Sequence, residues 1–278
     1  MAEPGSKTKL SKRKLEKYLK NRDFAQMVEH GRRIAERIGR PTQADVFNPV
    51  IVDFYESVGY LPEAIVNYLA LLGWSLDDRT EHFTRDELVA SFSLERVNKA
   101  AASFDPKKLQ AFQEWHMQQV PAEKKAAMVL PYLEKAGLVP TPPPDDLGPR
   151  LLAIIRAAGD RIKVAGDILA FDEFFTADDQ LPYDEKSLDK CLRAPGAAER
   201  LRQFRGLLEA AEPFDASALE ALLHRFVESE GMKLGEIIHP LRVAVTGKSV
   251  GLGLFDTLAI LGRRSALARI DRALGRVS

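Results

Sequence analysis

Apolar positions along the chain recur mostly at helical spacing. In "PEAIVNYLALLG", Ala64, Ile65, Tyr68, Leu69 and Leu72 fall on one side of a helix that Pro62 starts and Gly73 ends. Thr84 and Glu87 have capping-box spacing for a short helix after it. Asp105-Pro106 opens another, with Leu109, Phe112 and His116 on one side. Then comes "LVPTPPPDDLGP", where Pro140, Pro142, Pro143 and Pro144 precede Asp145 and Asp146. Such a stretch cannot continue a helix and reads as a semi-rigid linker.

Beyond the linker the pattern predicts helices at roughly 149 to 158, 160 to 171, 184 to 193, 196 to 211, 216 to 230 and 263 to 275. Asp215 and Ser217 are alternative caps for the fifth of these, and Gly231 closes it. Before residue 46, Lys14 to Arg40 predicts two short helices broken near Asn21, with Leu15, Tyr18 and Leu19 on one face and Phe24, Met27 and Val28 on the next. Only Arg242 to Val245 has strand chemistry, and one short run makes no sheet. The expectation is an all-α protein whose C-terminal part is a helical bundle.

Composition narrows the class. The 278 residues suffice for about two domains, and 45% apolar with 29% charged residues fits a globular chain. No apolar run approaches the ~20 residues of a membrane span, and the N-terminus lacks a signal-peptide core, so a cytoplasmic location is expected. Cys191 is the one cysteine, which excludes an internal disulfide and suits a small core residue, and Cys/His clusters at metal spacing are absent. The formal net charge of zero hides two basic ends: residues 1–40 carry twelve Lys/Arg against five Asp/Glu, and residues 261–278 five Arg against one Asp. Basic ends suit a polyanion, since each cation meeting a phosphate releases counterions; solvated helix faces explain them equally well.

One motif suggests nucleotide chemistry. Gly247-Lys248-Ser249 has the form in which a phosphate-binding P-loop ends, but the loop needs a glycine at position 242, and Arg242 stands there. Gly251-x-Gly253 fails as a dinucleotide fingerprint because Asp256 holds the third glycine position. The stretch therefore reads as a helix end, a glycine turn and the start of another helix.

Several segments together resemble one family. "KLSKR", Lys9 to Arg13, resembles the mobile loop of class I aminoacyl-tRNA synthetases in the form typical of the glutamyl enzymes. "GYLPEAIVNYLALLGWS" (Gly59 to Ser75) and "FSLERVNKAAASFDPKKL" (Phe92 to Leu109) are similar to the segments that follow that loop, in the same order and spacing. "MKLGEIIHPLRVAVTGKSVGLGLFDTLAILGR", Met232 to Arg263, resembles the end of the helical anticodon-binding domain. Two departures stand out: about 33 residues rich in Lys and Arg separate Arg13 from Phe47, and no Rossmann half with a HIGH-type motif is present.

The resemblance implies a loop and basic insertion over 1–46, a stem-contact domain over 47–120 and an anticodon-binding domain over 121–278. It implies that the parent protein uses ATP, with magnesium, to attach glutamate to tRNA-Glu. Lys12 would be the loop lysine that stabilises charge on the phosphates, with Lys9 and Arg13 supporting it and Leu10 and Ser11 shaping the loop. Lys99, Lys107 and Lys108 would touch tRNA phosphates, and Arg161 and Arg242 would lie near the anticodon. Tyr60 and Trp74 border an apolar face and read as core. A chain with these parts alone is expected to form no adenylate, to need no metal site of its own and to be a monomer. The alternative is a stand-alone, non-catalytic tRNA-binding or regulatory module derived from a synthetase.

Overall fold

The structure is a computed structural model that describes residues 2–3, 8–11, 14–98 and 102–277. Among these residues the architecture is all-α, with no strand beyond two isolated bridges at Ala2. The helices are α1 (Leu15–Tyr18), α2 (Arg22–Arg37), α3 (Val52–Val58), α4 (Pro62–Ala70), α5 (Arg85–Ser91), α6 (Pro106–Gln119), α7 (Ala122–Lys135) and α8 (Leu147–Ala158). After a run of 3₁₀ turns come α9 (Glu185–Ser187), continued by a π-turn over Leu188–Leu192, then α10 (Ala197–Glu209), α11 (Ala216–Ser229), α12 (Gly235–Thr246) and α13 (Leu254–Gly275). Two compact units emerge: residues 1–144 with 159–170, and residues 145–158 with 171–278.

Start signals in the sequence have their expected partners. Thr84 and Glu87 close a reciprocal capping box on α5, Asp105 caps α6 through Lys108 N, and Pro62 stands in the first turn of α4. Of the two candidate caps for α11 it is Asp215 that accepts from Ala218 N, at 2.9 Å. Asn21 breaks the basic segment as expected, but by capping: its side chain accepts from Phe24 N and starts the sixteen-residue α2.

In the first unit α2 is part of the core. Phe24, Val28, Ile34 and Ala35 are buried on one face, and edge-to-face aromatic pairs run from Tyr18 to Phe24, on to Phe104, then to Tyr68 and Phe112. Each such pair adds about 0.5–1.5 kcal/mol to area burial. On α4, Ala64 and Tyr68 are buried whereas Leu69, the fourth position of the predicted apolar stripe, is exposed. Tyr60 and Trp74 are both buried, in agreement with their reading as core.

The segment 159–170 returns to the first unit. Gln113 Oε1 accepts from Leu61 N at 2.8 Å and its Nε2 donates to Lys163 O at 2.7 Å, tying α6 to that segment. Gly166 lies so close to α2 that a Cβ there would stand 2.5 Å from Ile34 Cγ2. Only a residue without a side chain allows that approach.

The second unit is a bundle of α10 to α13 around Leu201, Phe204, Leu223, Ile237, Leu241, Leu258 and Ile270, all fully or almost fully buried. Cys191 belongs to the same core. The run expected to have strand chemistry, Arg242 to Val245, is the last part of α12. Val243, Ala244, Val245 and Thr246 are all buried, so the last turn of this helix is covered on every side and loses the 3.6-residue polar alternation by which a helix is read from sequence. The helix predicted from 263 begins at Arg263, directly after Gly262 (φ 75) breaks α13.

Candidate nucleic-acid interface

The expected contact residues fall into three local settings. At the N-terminus, Lys9 is exposed and its backbone bridges Ala2, while Ser11 N donates to Tyr18 Oη at 2.8 Å. Leu10 is half-buried. Below them Glu3 is almost fully buried and receives Lys17 Nζ at 2.6 Å and Lys14 Nζ at 3.3 Å, so α1 is fastened to the chain start by its own lysines. The Lys17 hydrogen bond holds the Glu3 carboxyl below the usual range, against burial, with Lys14 assisting. Lys12, Arg13 and Lys99 lie outside the described residues.

At the start of α6, Lys107 and Lys108 part company. Lys107 is exposed with no ion-pair partner among the described residues. Lys108 Nζ sits 2.6 Å from Glu81 Oε1 and 5.7 Å from the centre of the Phe112 ring. Its charge is largely compensated before any phosphate arrives, so Lys107 is the better donor of the two.

Arg161 stands on the returning segment of the first unit, on the wall of an open groove opposite α2. The same wall holds Lys163, and Asp167 at its base accepts from Lys163 N and Val164 N and meets His30 Nε2 at 2.6 Å. The facing wall presents Arg22 and Arg33, two arginines not singled out in the sequence reading. Their signal was there: with Gln26 and His30 they form a polar stripe at helical spacing behind Phe24, Met27 and Val28. Tyr60 closes the groove from beneath, and burial raises its phenol far above the normal value, leaving it neutral at any working pH.

In the second unit Arg242 Nη1 donates to Leu252 O at 2.6 Å and so holds the loop between α12 and α13. Lys248, the lysine of the P-loop look-alike, points inward: its Nζ lies 2.6 Å from Asp172 Oδ1 and 3.0 Å from Glu173 Oε2. Burial raises the Glu173 carboxyl, and Lys248 only partly offsets this. For Lys248, burial acts downward, but Glu173 and Asp172 outweigh it and the ammonium is held above its normal range. An amine committed to two carboxylates is no phosphate ligand. Gly247 confirms the helix-end reading, since it caps α12 with φ 73.

Lys248→Met is therefore expected to destabilise the second unit by about 2–3 kcal/mol near neutral pH, because it leaves the buried Glu173 charge unpaired. The raised Glu173 pKa fixes the sign of the pH effect. A carboxyl whose folded pKa lies above its unfolded one favours folding when protonated and opposes it once ionised, so without Lys248 the penalty shrinks as pH falls. Urea unfolding at pH 7 and pH 5 checks this; an equal penalty at both would remove Glu173 from the account.

The basic C-terminal end is occupied by structure. Arg269 is buried, Arg263 bonds Ala211 O and Glu212, Arg272 donates to Leu181 O at 2.6 Å, and both Arg272 and Arg276 stack 5.3 Å from the Tyr183 ring centre. Arg264 alone of the five is exposed without an ion-pair partner among the described residues. The charge excess read from the sequence thus overstates what the second unit offers a polyanion. Among the described residues no cluster of His, Cys, Asp or Glu could hold a metal, and no helix is long and apolar enough to cross a membrane.

Known proteins give this geometry a context. A family model described as the catalytic domain of class I tRNA synthetases (E and Q) matches residues 47–111. The curated glutamate–tRNA ligase of Moorella thermoacetica is 39% identical over 223 residues, covering 80% of this chain and 45% of the relative. That of Herpetosiphon aurantiacus is 38% identical over 225 residues, covering 81% and 45%. A crystal structure of a glutamate tRNA ligase from Elizabethkingia meningosepticum superimposes with a TM-score of 0.68 at 28% identity, over 81% of this chain and 43% of that one. The chain spans a little under half the length of the relatives it matches. A second family model, the anticodon binding domain, covers residues 124–274. With more than half of its length inside that match, the chain belongs to the anticodon binding domain family and corresponds to the C-terminal part of a glutamate–tRNA ligase.

Proposed function

We propose that this chain is the tRNA-binding portion of a cytoplasmic, monomeric enzyme that attaches glutamate to tRNA-Glu at the expense of ATP with magnesium. The observation that carries the reading is the order of the two family matches: a class I catalytic-domain match at 47–111 is followed by an anticodon binding domain at 124–274. In the proposed division, residues 1–46 supply the ATP loop and a basic insertion, 47–120 contact the tRNA stem and 121–278 read the anticodon.

Each unit has a stated task. Unpaired anticodon bases are recognised by splaying them onto aromatic or guanidinium planes and bonding their Watson–Crick edges. Arg242, half-buried and aimed by its bond to Leu252 O, is the proposed residue near the anticodon in the second unit. Lys107 and Lys99 contact stem phosphates, Lys108 does so only by exchanging Glu81 for phosphate, and Arg161 serves from the first unit. Lys12 stabilises the negative charge that develops on the phosphates as adenylate forms, supported by Lys9 and Arg13 on a loop shaped by Leu10 and Ser11. The amine of Lys9, exposed and in no ion pair among the described residues, suits that task.

Filter binding across a salt series tests the proposal. The chain is expected to hold tRNA-Glu more tightly than an unrelated tRNA, and equal affinity for both would overturn anticodon reading. Glutamate-dependent ATP–pyrophosphate exchange by the 278-residue chain on its own is expected to stay at background; turnover would overturn the expectation that these residues form no adenylate.

A further inference from the structure

Residues 14–46 lie outside both family matches, yet α2 is sealed into the core of the first unit. Its buried face fixes the direction of its outer face. That outer face walls an open groove of about 710 Å³ against the returning segment 159–167.

The charges in the groove are unequally engaged. Glu29 is paired with Arg32 at 3.7 Å, and the Asp167 carboxylate is taken by His30 and by two backbone N–H groups. Lys163 Nζ lies 2.7 Å from Glu114. Arg22 and Arg33 are exposed and make no ion pair among the described residues. Both acids of the groove are thus spoken for while two guanidinium groups stand open, which leaves a concave surface of positive potential.

We propose that this groove binds the sugar–phosphate backbone of RNA, with Arg22 and Arg33 as its phosphate contacts; the proposal rests on the reading of the chain as a tRNA binder. Guanidinium groups match phosphate oxygens bidentately, which favours phosphate over a diffuse counterion cloud. The two arginines are eleven residues apart on one helix, about 16 Å at ~1.5 Å per residue, a span that follows a strand across several nucleotides. No base edge need be read, so the groove adds affinity without sequence preference. His30, held to Asp167 at 2.6 Å, keeps α2 against the opposite wall and is a positioning residue.

The test compares Arg22→Gln/Arg33→Gln with Lys20→Gln/Arg40→Gln, a pair of exposed cations of the same unit outside both the groove and the proposed stem-contact region. The full chain is titrated with tRNA-Glu and with an unrelated tRNA between about 50 and 200 mM salt. The groove pair is expected to lose about tenfold in affinity for both tRNAs at the upper end and to flatten the log–log salt slope by roughly 1.5, from ~0.7–0.9 per phosphate contact. The control pair is expected to move affinity less than about twofold, and circular dichroism of both variants should match the parent because all four side chains are exposed. Unchanged slope in the groove pair, or equal losses in both pairs, overturns the groove while leaving tRNA binding intact. Loss of binding to an oligoglutamate peptide with tRNA binding unmoved overturns it as well, assigning the groove to acidic protein. A parent chain that binds neither tRNA overturns the tRNA-binding reading together with the groove.

Discussion

Arg269→Met is expected to destabilise the second unit by about 3–5 kcal/mol, enough to consume a large part of the stability of a domain this size. The side chain is 2% exposed, and its guanidinium donates to Asp178 Oδ1 at 2.6 Å, Val245 O at 2.9 Å, and Glu173 O and Thr176 O at 3.0 Å each. One planar group thereby satisfies three backbone carbonyls and a carboxylate where α13 meets the end of α12 and the turns after residue 171. Methionine fills much of the volume and replaces none of the bonds. Asp178, about a third exposed, regains water, whereas the Val245 and Glu173 carbonyls stay buried, each at a cost on the order of 1 kcal/mol or more. Arg269→Lys should recover less than half, since a single ammonium cannot reach all four acceptors. Urea unfolding of the two variants measures both figures, and a loss under about 1 kcal/mol for Arg269→Met would sink the account.

Gly247→Ala is expected to cost about 3 kcal/mol or more, and for two separable reasons. Gly247 has φ 73, where an L side chain pays about 1–2 kcal/mol. A Cβ there would also fall 1.9 Å from Pro182 O, and that contact cannot be relieved by rotating a side chain because the obstacle is backbone. Segment 182–184 would have to withdraw, breaking the 2.9 Å bond from Asp184 N to Gly247 O and disturbing the cap that Asp184 places on Ser187. Gly231 separates the two causes: it too has positive φ, 61, but no atom within 4 Å of its would-be Cβ. Gly231→Ala should therefore show only the conformational cost, about 1 kcal/mol. Equal melting shifts for the two variants would mean that the close approach at Pro182 contributes nothing.

Much of the local structure was legible in the sequence because its causes are local. The Thr84–Glu87 box, the Asp105-Pro106 start, the break at Asn21 and the stop at Gly231 depend on residues within four positions of one another. The end of α12 was not legible, because a helical turn buried on all sides carries the same apolar, β-branched run as a buried strand. The family was legible from KLSKR and the segments after it, and the matches over 47–111 and 124–274 agree with that reading.

The individual charges behaved differently. That Lys108 is compensated depends on Glu81, and that Lys248 is withdrawn depends on Asp172 and Glu173, some 75 positions away. Arg161 and Arg33 are separated by more than a hundred residues and nonetheless line one groove, because Gly166 lets the returning segment lie against α2. By itself the sequence determined where α4, α5, α6 and α11 start, which face of α2 is buried, and that Gly247-Lys248-Ser249 is a helix end without the glycine a phosphate loop requires. Only the tertiary structure decided which lysines and arginines keep an open charge, since a charge is spent or kept by partners that chain folding, and not chain spacing, brings within about 3 Å.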